Sequence, residues 1–402
     1  MGQRTGLVVA GAGARGAYEA GALSVLVPEL AAGGGLPSVL VGTSAGALNV
    51  VGLAGALDAG LQPALDGLAE LWGAVRLGEV VDVPGTLVGG LRYAAQLAGL
   101  PVRVPSLLDT TPQRATLEAL VDWDRLHANV ADGPVDAVAV ATTRVDTGAT
   151  VVFVEKKPSV PLPPPDADRN LTYVETQLTV EHVLASSAVP AAFRPVEVTT
   201  PAAWSGWYVD GGLRLNAPLK PALDLGCDLL GVVATQPSSY RSSPVADPSP
   251  AAPSPVTAFP VAPSPVTPDV PTVAALALRS LLADRMVEDL RLLTAVNGLV
   301  ASGAQTDRYR EVGYRFAGPA AAQADDLSRL AAEVYRREYG GLKGLRNPAL
   351  AVLDRLIGGA APEHGELLSF LFFDAAFTRE AARLGARHAR GAGALTVPLR
   401  RG

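Results

Sequence analysis

Apolar positions follow two rhythms along this chain. TGLVVA at 5–10 and SVLVG at 38–42 are short unbroken apolar runs that close on small residues. CDLLGVVATQ at 227–236 repeats the pattern. Runs of that length predict strands buried on both faces, as in a parallel sheet. Between the first two, Leu23, Leu26, Val27 and Leu30 recur at helical spacing and predict a helix over 15–30. A small-residue helix is expected over 45–57 and another near 61–75. This β-α-β-α start with short connections predicts a mostly parallel sheet with helices on its faces.

Further along, helical pieces are expected at 88–98 and 112–121, split by LPVRVPS. Residues 134–157 read as two strands about a DTG turn, followed by a polar proline-rich connection at 158–170. TVEHVLASSAVPAAF, 179–193, begins as a helix capped by Thr179 and ends near Pro190. GWYVDGG, 206–212, is a strand that delivers a tight turn. Helical periodicity returns at 273–296 and in the tail from 322, with breaks at YGGLKG and IGGAAPEHG. Two packed helical segments are expected over 367–389.

Composition breaks most sharply at 237–271, where APSPVT occurs twice. Proline lacks an amide hydrogen and fixes φ, so this stretch is expected as a flexible, polyproline-like surface insertion, with a role as an SH3-type ligand as the alternative. It divides the chain into a unit at 1–236, the insertion at 237–271 and a helical C-terminal region at 272–402 packing on the first. Residues 39–57 are apolar enough to suggest a membrane span. Thr43, Ser44 and Asn49 interrupt them, and they are expected as strand, turn and helix instead.

The net charge of −6 and the lack of a long basic block argue against a nucleic-acid partner. A single cysteine, Cys227, excludes an intrachain disulfide and a multi-thiolate metal cluster, and fits a reducing compartment. The N-terminus has no pattern of a secretory leader, and Gly6 stands where myristoylation wants Ser or Thr after Gly2. The expected location is cytoplasmic, with room for peripheral attachment at a membrane surface.

Three short motifs carry candidate chemistry. Gly11, Gly13 and Gly16 have the G-x-G-x-x-G spacing of a dinucleotide-binding turn. That reading wants an acidic residue at the end of the second strand, and none lies between Leu30 and Asn49. Glycine also lets backbone amides converge on developing negative charge at a helix N-terminus, which is what an oxyanion hole needs. A plain tight turn remains the third reading.

Gly42-Thr43-Ser44-Ala45-Gly46 is a G-x-S-x-G between a strand and a helix, the setting of a nucleophile elbow. Gly42 and Gly46 must be small where strand and helix converge. The alternative is that Ser44 only caps the helix.

A serine nucleophile needs a base. None of His127, His182, His364 and His388 sits in a strand-end turn, and His364 is the best placed of them for a triad. Asp210 is the stronger candidate: an apolar strand presents an acid, and Gly211 and Gly212 then permit a tight turn. An Asx-Gly turn without chemistry is the alternative. Asn216 is placed to order the same loop.

Taken in order, GAGARG at 11–16, GTSAG at 42–46 and DGG at 210–212 resemble the patatin-like phospholipases. ASSAVPAAFRPV at 185–196 and LNAPLKPALDLGCDLLGVV at 215–233 are similar to the family's flanks of the Asp-Gly-Gly turn. LLADRMVEDLRLL and FLFFDAAFTREAARLGARHA are similar to the helical extension of bacterial members. The resemblance implies a three-layer α/β/α fold with a mostly parallel central sheet and a helical C-terminal extension. It implies a catalytic domain over 1–236, Ser44 as nucleophile, Asp210 as base and the backbone of Gly11, Ala12 and Gly13 as oxyanion hole. Arg15 would order that loop and add positive charge. Ala12 stands where the family usually has glycine, so the hole is expected to be shaped slightly differently. The implied substrate is a phospholipid or other acyl-ester lipid, with no metal, calcium or organic cofactor. The helical stretch at 88–98, or the proline-rich insertion, is a candidate cover for the site.

Overall fold

The structure is a computed structural model that describes residues 3–238, 270–302, 310–340 and 364–391. The proline-rich insertion and the breaks after Tyr339 lie almost wholly outside the described residues.

Nine strands form one sheet among the described residues: β1 (Thr5–Val9), β2 (Val39–Thr43), β3 (Ala137–Arg144), β4 (Thr150–Lys156), β5 (Leu171–Glu175), β6 (Val196–Val198), β7 (Gly206–Asp210), β8 (Leu229–Val233) and β9 (Gly313–Ala317). The main order is β5-β4-β3-β2-β1-β8-β9, with β7 pairing β3 and β6 pairing β7. β3, β2, β1, β8 and β9 run parallel; β4 and β7 run antiparallel to β3.

Alternate residues of each strand fill opposite cores. Leu7, Val9 and Leu40 pack among α1 (Gly16–Gly34), α2 (Ala45–Ala54) and α3 (Leu61–Ala74). Val8, Ala10, Val39 and Val41 pack on the other face with Leu219, Ala222, Met286 and Leu290. Helices therefore cover both sides, and the fold is the three-layer α/β/α arrangement with a helical C-terminal extension. The final helix, Ala375–Gly391, lies against α1 so closely that a Cβ on Gly21 or Gly385 would overlap a backbone oxygen of the other helix.

The apolar stretch 39–57 is strand, turn and helix as expected. Among the described residues no helix is long and apolar enough to cross a membrane. Several boundaries differ from the sequence pattern. α1 runs through Pro28 to Gly34. The helix expected from 88 begins at Val83, where Asp82 caps it by accepting the Gly85 N–H. The helix after Thr179 ends at Ser186 rather than near Pro190. Strands β5, β6 and β9 and the helix Trp123–Ala131 carry no clear periodic signal. β9, in a region expected to be helical, extends the sheet beside β8.

Candidate active site

Register on one strand brings the two motif ends together. β2 pairs with β3 up to Thr43 opposite Ala141, and the next β3 residue, Thr142, pairs with Asp210 of β7. β4 occupies the other edge of β3 over the same residues, so β7 must share the edge of β2. β2 runs with β3 and β7 against it. Their C-terminal ends therefore meet head to head, Thr43 and then Ser44 from one side and Asp210 from the other.

Ser44 turns there with φ 55° and ψ −124°, a conformation costly for a residue with a Cβ. Its side chain makes no capping hydrogen bond to α2, so the helix-cap alternative is not what the structure holds. Its N–H donates to Ser186 Oγ at 2.8 Å, and Ser186 Oγ donates to the Ala141 carbonyl at 2.7 Å. Thr43 Oγ1 donates to the Leu215 carbonyl at 2.9 Å. A Cβ on Gly42 would overlap the Gly46 carbonyl, and one on Gly46 would overlap the carbonyls of Val9 and Ala10. A Cβ on Gly211 would overlap the Ala141 carbonyl. Nothing larger than hydrogen fits at these three points.

Asp210 is buried, and its Oδ1 accepts the Gly212 N–H at 2.7 Å. The Asx turn foreseen as the alternative is thus present. Burial pushes the Asp210 carboxyl up to about 6; the hydrogen bonds from the Gly212 amide and the Ser44 side chain pull it back in part. The Ser44 side chain is thus a hydrogen-bonding neighbour of a carboxyl that burial holds above the ordinary carboxylate range.

The glycine loop lies beside them. A Cβ on Gly11 would stand 3.2 Å from that of Ser44. The Gly11 N–H is donated to the Asn216 carbonyl at 3.0 Å. Its proton is thus engaged, which leaves Ala12 and Gly13 as the candidate donors among the three loop amides expected there. Ala12 has φ −148°, open to any residue, so alanine there costs nothing in conformation. The left-handed residue is Gly13, φ 56°, and a Cβ there would lie 2.5 Å from the Phe370 carbonyl oxygen.

Arg15 is fully buried and points to the C-terminal helix His364–Leu371. Its Nη2 lies 2.8 Å from Glu366 Oε2, its Nε donates to Ser369 Oγ at 2.8 Å, and its guanidinium stacks 3.9 Å from the Phe370 ring centroid. Ser328 also donates to the Glu366 carboxylate. The charge expected near the loop is thus compensated by Glu366; what Arg15 provides is anchorage to a helix the motifs do not include.

An apolar cavity of about 440 Å³ opens onto Ser44 and Asp210. Leu48 and Trp72 wall it from the first half of the chain, Leu117 and Phe193 from the middle, and Phe370 and Phe373 from the C-terminal region. None of residues 83–112 lines it, so the helix expected as a cover does not cover it. The histidines with described side chains are engaged elsewhere. His127 meets Glu155, His388 meets Tyr18 and Asp326, and His182 meets Thr179 and Thr200. Burial drives His182 down to about 4 and keeps it neutral. The His364 side chain lies outside the described residues. No role was read for Ser186, Glu366, Ser369 or Phe370, although Ser186 lies in ASSAVPAAFRPV and Ser369 and Phe370 lie in the helical segment 367–389.

The family described as Patatin-like phospholipase matches residues 7–223, which span all three motifs. The crystal structure of VipD from Legionella pneumophila aligns at 12% identity with a TM-score of 0.35, covering 97% of this chain and 90% of that one. No curated protein matches the sequence.

Proposed function

The chain belongs to the patatin-like phospholipase family, a class of lipid-acting hydrolases, and from that premise we propose that it is a serine acyl hydrolase that cleaves carboxylic esters of phospholipids or other acyl lipids through a Ser44–Asp210 dyad. The observation that carries this reading is the β3 register, which sets Thr43 and Asp210 on successive partners and so faces the next residue, Ser44, with the carboxylate.

Asp210 accepts the Ser44 proton as Oγ attacks the ester carbonyl. The developing oxyanion is held by the amides of Ala12 and Gly13, the loop donors left once Gly11 is bound to Asn216. The C–O bond to the alcohol breaks, and the alcohol leaves with the proton from Asp210. Water, deprotonated by the same carboxylate, then attacks the acyl-serine and releases the fatty acid and the free hydroxyl. A base titrating at about 6 is ionised at neutral pH yet basic enough to take a proton in the transition state. The apolar cavity suits an acyl chain. The catalytic unit proposed over 1–236 is completed by the helix at 364–371, which holds the loop through Arg15 and lends Phe370 to the cavity.

The test is labelling with a fluorophosphonate probe together with hydrolysis of a soluble short-chain ester. The wild type labels and turns over. Ser44→Ala does neither, and Asp210→Asn loses both while keeping its fold by circular dichroism. Turnover that survives in Ser44→Ala defeats the proposal.

A further inference from the structure

We propose that residues 83–107 are the surface by which this protein seats on an anionic phospholipid layer, with the cavity mouth against the lipid. The proposal rests on the acyl-hydrolase reading for its purpose, but not for its test.

The helix Val83–Leu97 keeps one residue buried, Thr86. Leu87 and Val88 are 52% and 50% exposed, Leu91 and Leu97 are 75% and 72%, and Leu100 and Leu107 follow at 56% and 50%. Scattered exposed leucines need no explanation, but a contiguous run of this kind marks an interaction surface. Its charge narrows the partner. Between Asp82 and Asp109 the charged side chains are Arg92 and Arg103, both cationic, in a chain of net charge −6. An apolar helix with one arginine and an interfacial tyrosine, Tyr93, followed by Arg103 in the returning stem, matches the headgroup layer of an anionic membrane.

Position narrows it further. The excursion leaves and rejoins the protein beside the cavity. Val80 before it and Gln113 after it both line that cavity. Its two stems are tied together: the Asp82 N–H donates to the Asp109 carbonyl at 2.7 Å, and the Asp109 N–H to Thr86 Oγ1 at 3.0 Å. The returning stem is bound to a loop of the cavity wall, because the N–H groups of Leu107 and Leu108 donate to the carbonyls of Ala191 and Ala192. Pro190 and Ala192 of that loop line the cavity. A lipid layer that receives the helix therefore lies next to the cavity that an acyl chain must enter.

The experiment is flotation of the Ser44→Ala protein, which binds without consuming lipid, with phosphatidylcholine vesicles with and without phosphatidylglycerol. Ser44→Ala is expected to float with the anionic vesicles and more weakly with the neutral ones. Adding Leu91→Asp and Leu97→Asp is expected to cut partitioning at least about 100-fold. Adding Arg92→Ser and Arg103→Ser is expected to erase the anionic preference, about fivefold for each arginine. In the otherwise wild-type protein, the leucine pair of substitutions should leave soluble-ester hydrolysis intact and lower hydrolysis of vesicle lipid. Failure of Ser44→Ala to float overturns the proposal, as does unchanged flotation of the leucine variant. A dimer in sedimentation equilibrium that those aspartates dissolve assigns the surface to a second copy and also overturns it. Flotation without fluorophosphonate labelling of the wild type upholds the docking surface and sinks the hydrolase reading instead.

Discussion

Arg15 and Glu366 form a buried ion pair at 2.8 Å across a separation of 351 residues, and it ties the loop beside Ser44 to the C-terminal helix. The pair has further support, since Ser369 and Ser328 add hydrogen bonds to it and Phe370 stacks on the guanidinium. A buried charge held this way is costly to leave alone.

Removing one member should therefore hurt more than removing both. Arg15→Met leaves the Glu366 carboxylate uncompensated and is expected to lower unfolding free energy by about 3–5 kcal/mol. Arg15→Met with Glu366→Leu should recover a large part of that loss. Urea denaturation of the two single variants and the double variant measures it, and additive losses would show that the charges do not act as a pair.

Activity should follow the ionisation of Asp210. With that carboxyl at about 6, kcat/KM on a soluble ester is expected to fall roughly tenfold per pH unit below that point and to level off above it. A pH–rate profile gives the inflection directly. A profile breaking near 4 would mean that burial does not raise the Asp210 carboxyl.

The same burial bears on stability in the opposite sense. Between pH about 4 and 6 the folded Asp210 keeps a proton that the unfolded residue has lost. Its contribution is therefore most favourable below that window and declines as pH rises through about 6, by roughly 3 kcal/mol in all. Asp210→Asn should melt higher than the wild type at pH 8, with the gain vanishing at pH 4, while its esterase activity is lost. Thermal scans at the two pH values decide this.

The elbow should tolerate no side chain. Gly46→Ala forces its Cβ into two backbone carbonyls that cannot swing away. A loss of about 1–3 kcal/mol or more is expected, together with loss of fluorophosphonate labelling. Gly67→Ala, where a Cβ meets nothing within 4 Å, is the matched control and should be silent or slightly stabilising.

Cavity width should set acyl length. Leu48 lies one turn beyond Ser44 on α2 and lines the cavity. Leu48→Trp is expected to lower kcat/KM at least tenfold for long-chain nitrophenyl esters and to change the acetate little. An equal loss for both would point to damage at the elbow rather than to filling of the cavity.

Much of this was legible where the signal is local. β1, β2 and the strand–turn–helix at Ser44 announce themselves, because a strand buried on both faces has to be apolar throughout and a tight turn has to be glycine. Asp210 before two glycines was readable for the same reason. Register was not: nothing in AVAVATTR or GWYVDGG says that Thr142 will face Asp210 one step after Ala141 faces Thr43. Nor does any spacing rule link Arg15 to Glu366, since both read as ordinary helix charges until the fold buries them. The partner of the Gly11 amide was equally hidden, because its acceptor, Asn216, lies 205 positions on and is set by the turn after β7. β9 escaped because GYRFA carries Arg315, whose charge is carried out of the sheet to Glu29.

β9 has a consequence for the protein's birth on the ribosome. Every residue of the family match, with Ser44 and Asp210, has emerged well before Gly313 is translated. Until then the outer side of β8 offers bare amides and carbonyls to any passing strand. At about 5–20 residues per second that exposure lasts several seconds per molecule. A nascent chain halted after residue 236 makes it permanent, leaving Ser44 and Asp210 on a sheet whose unfinished flank invites pairing with other chains.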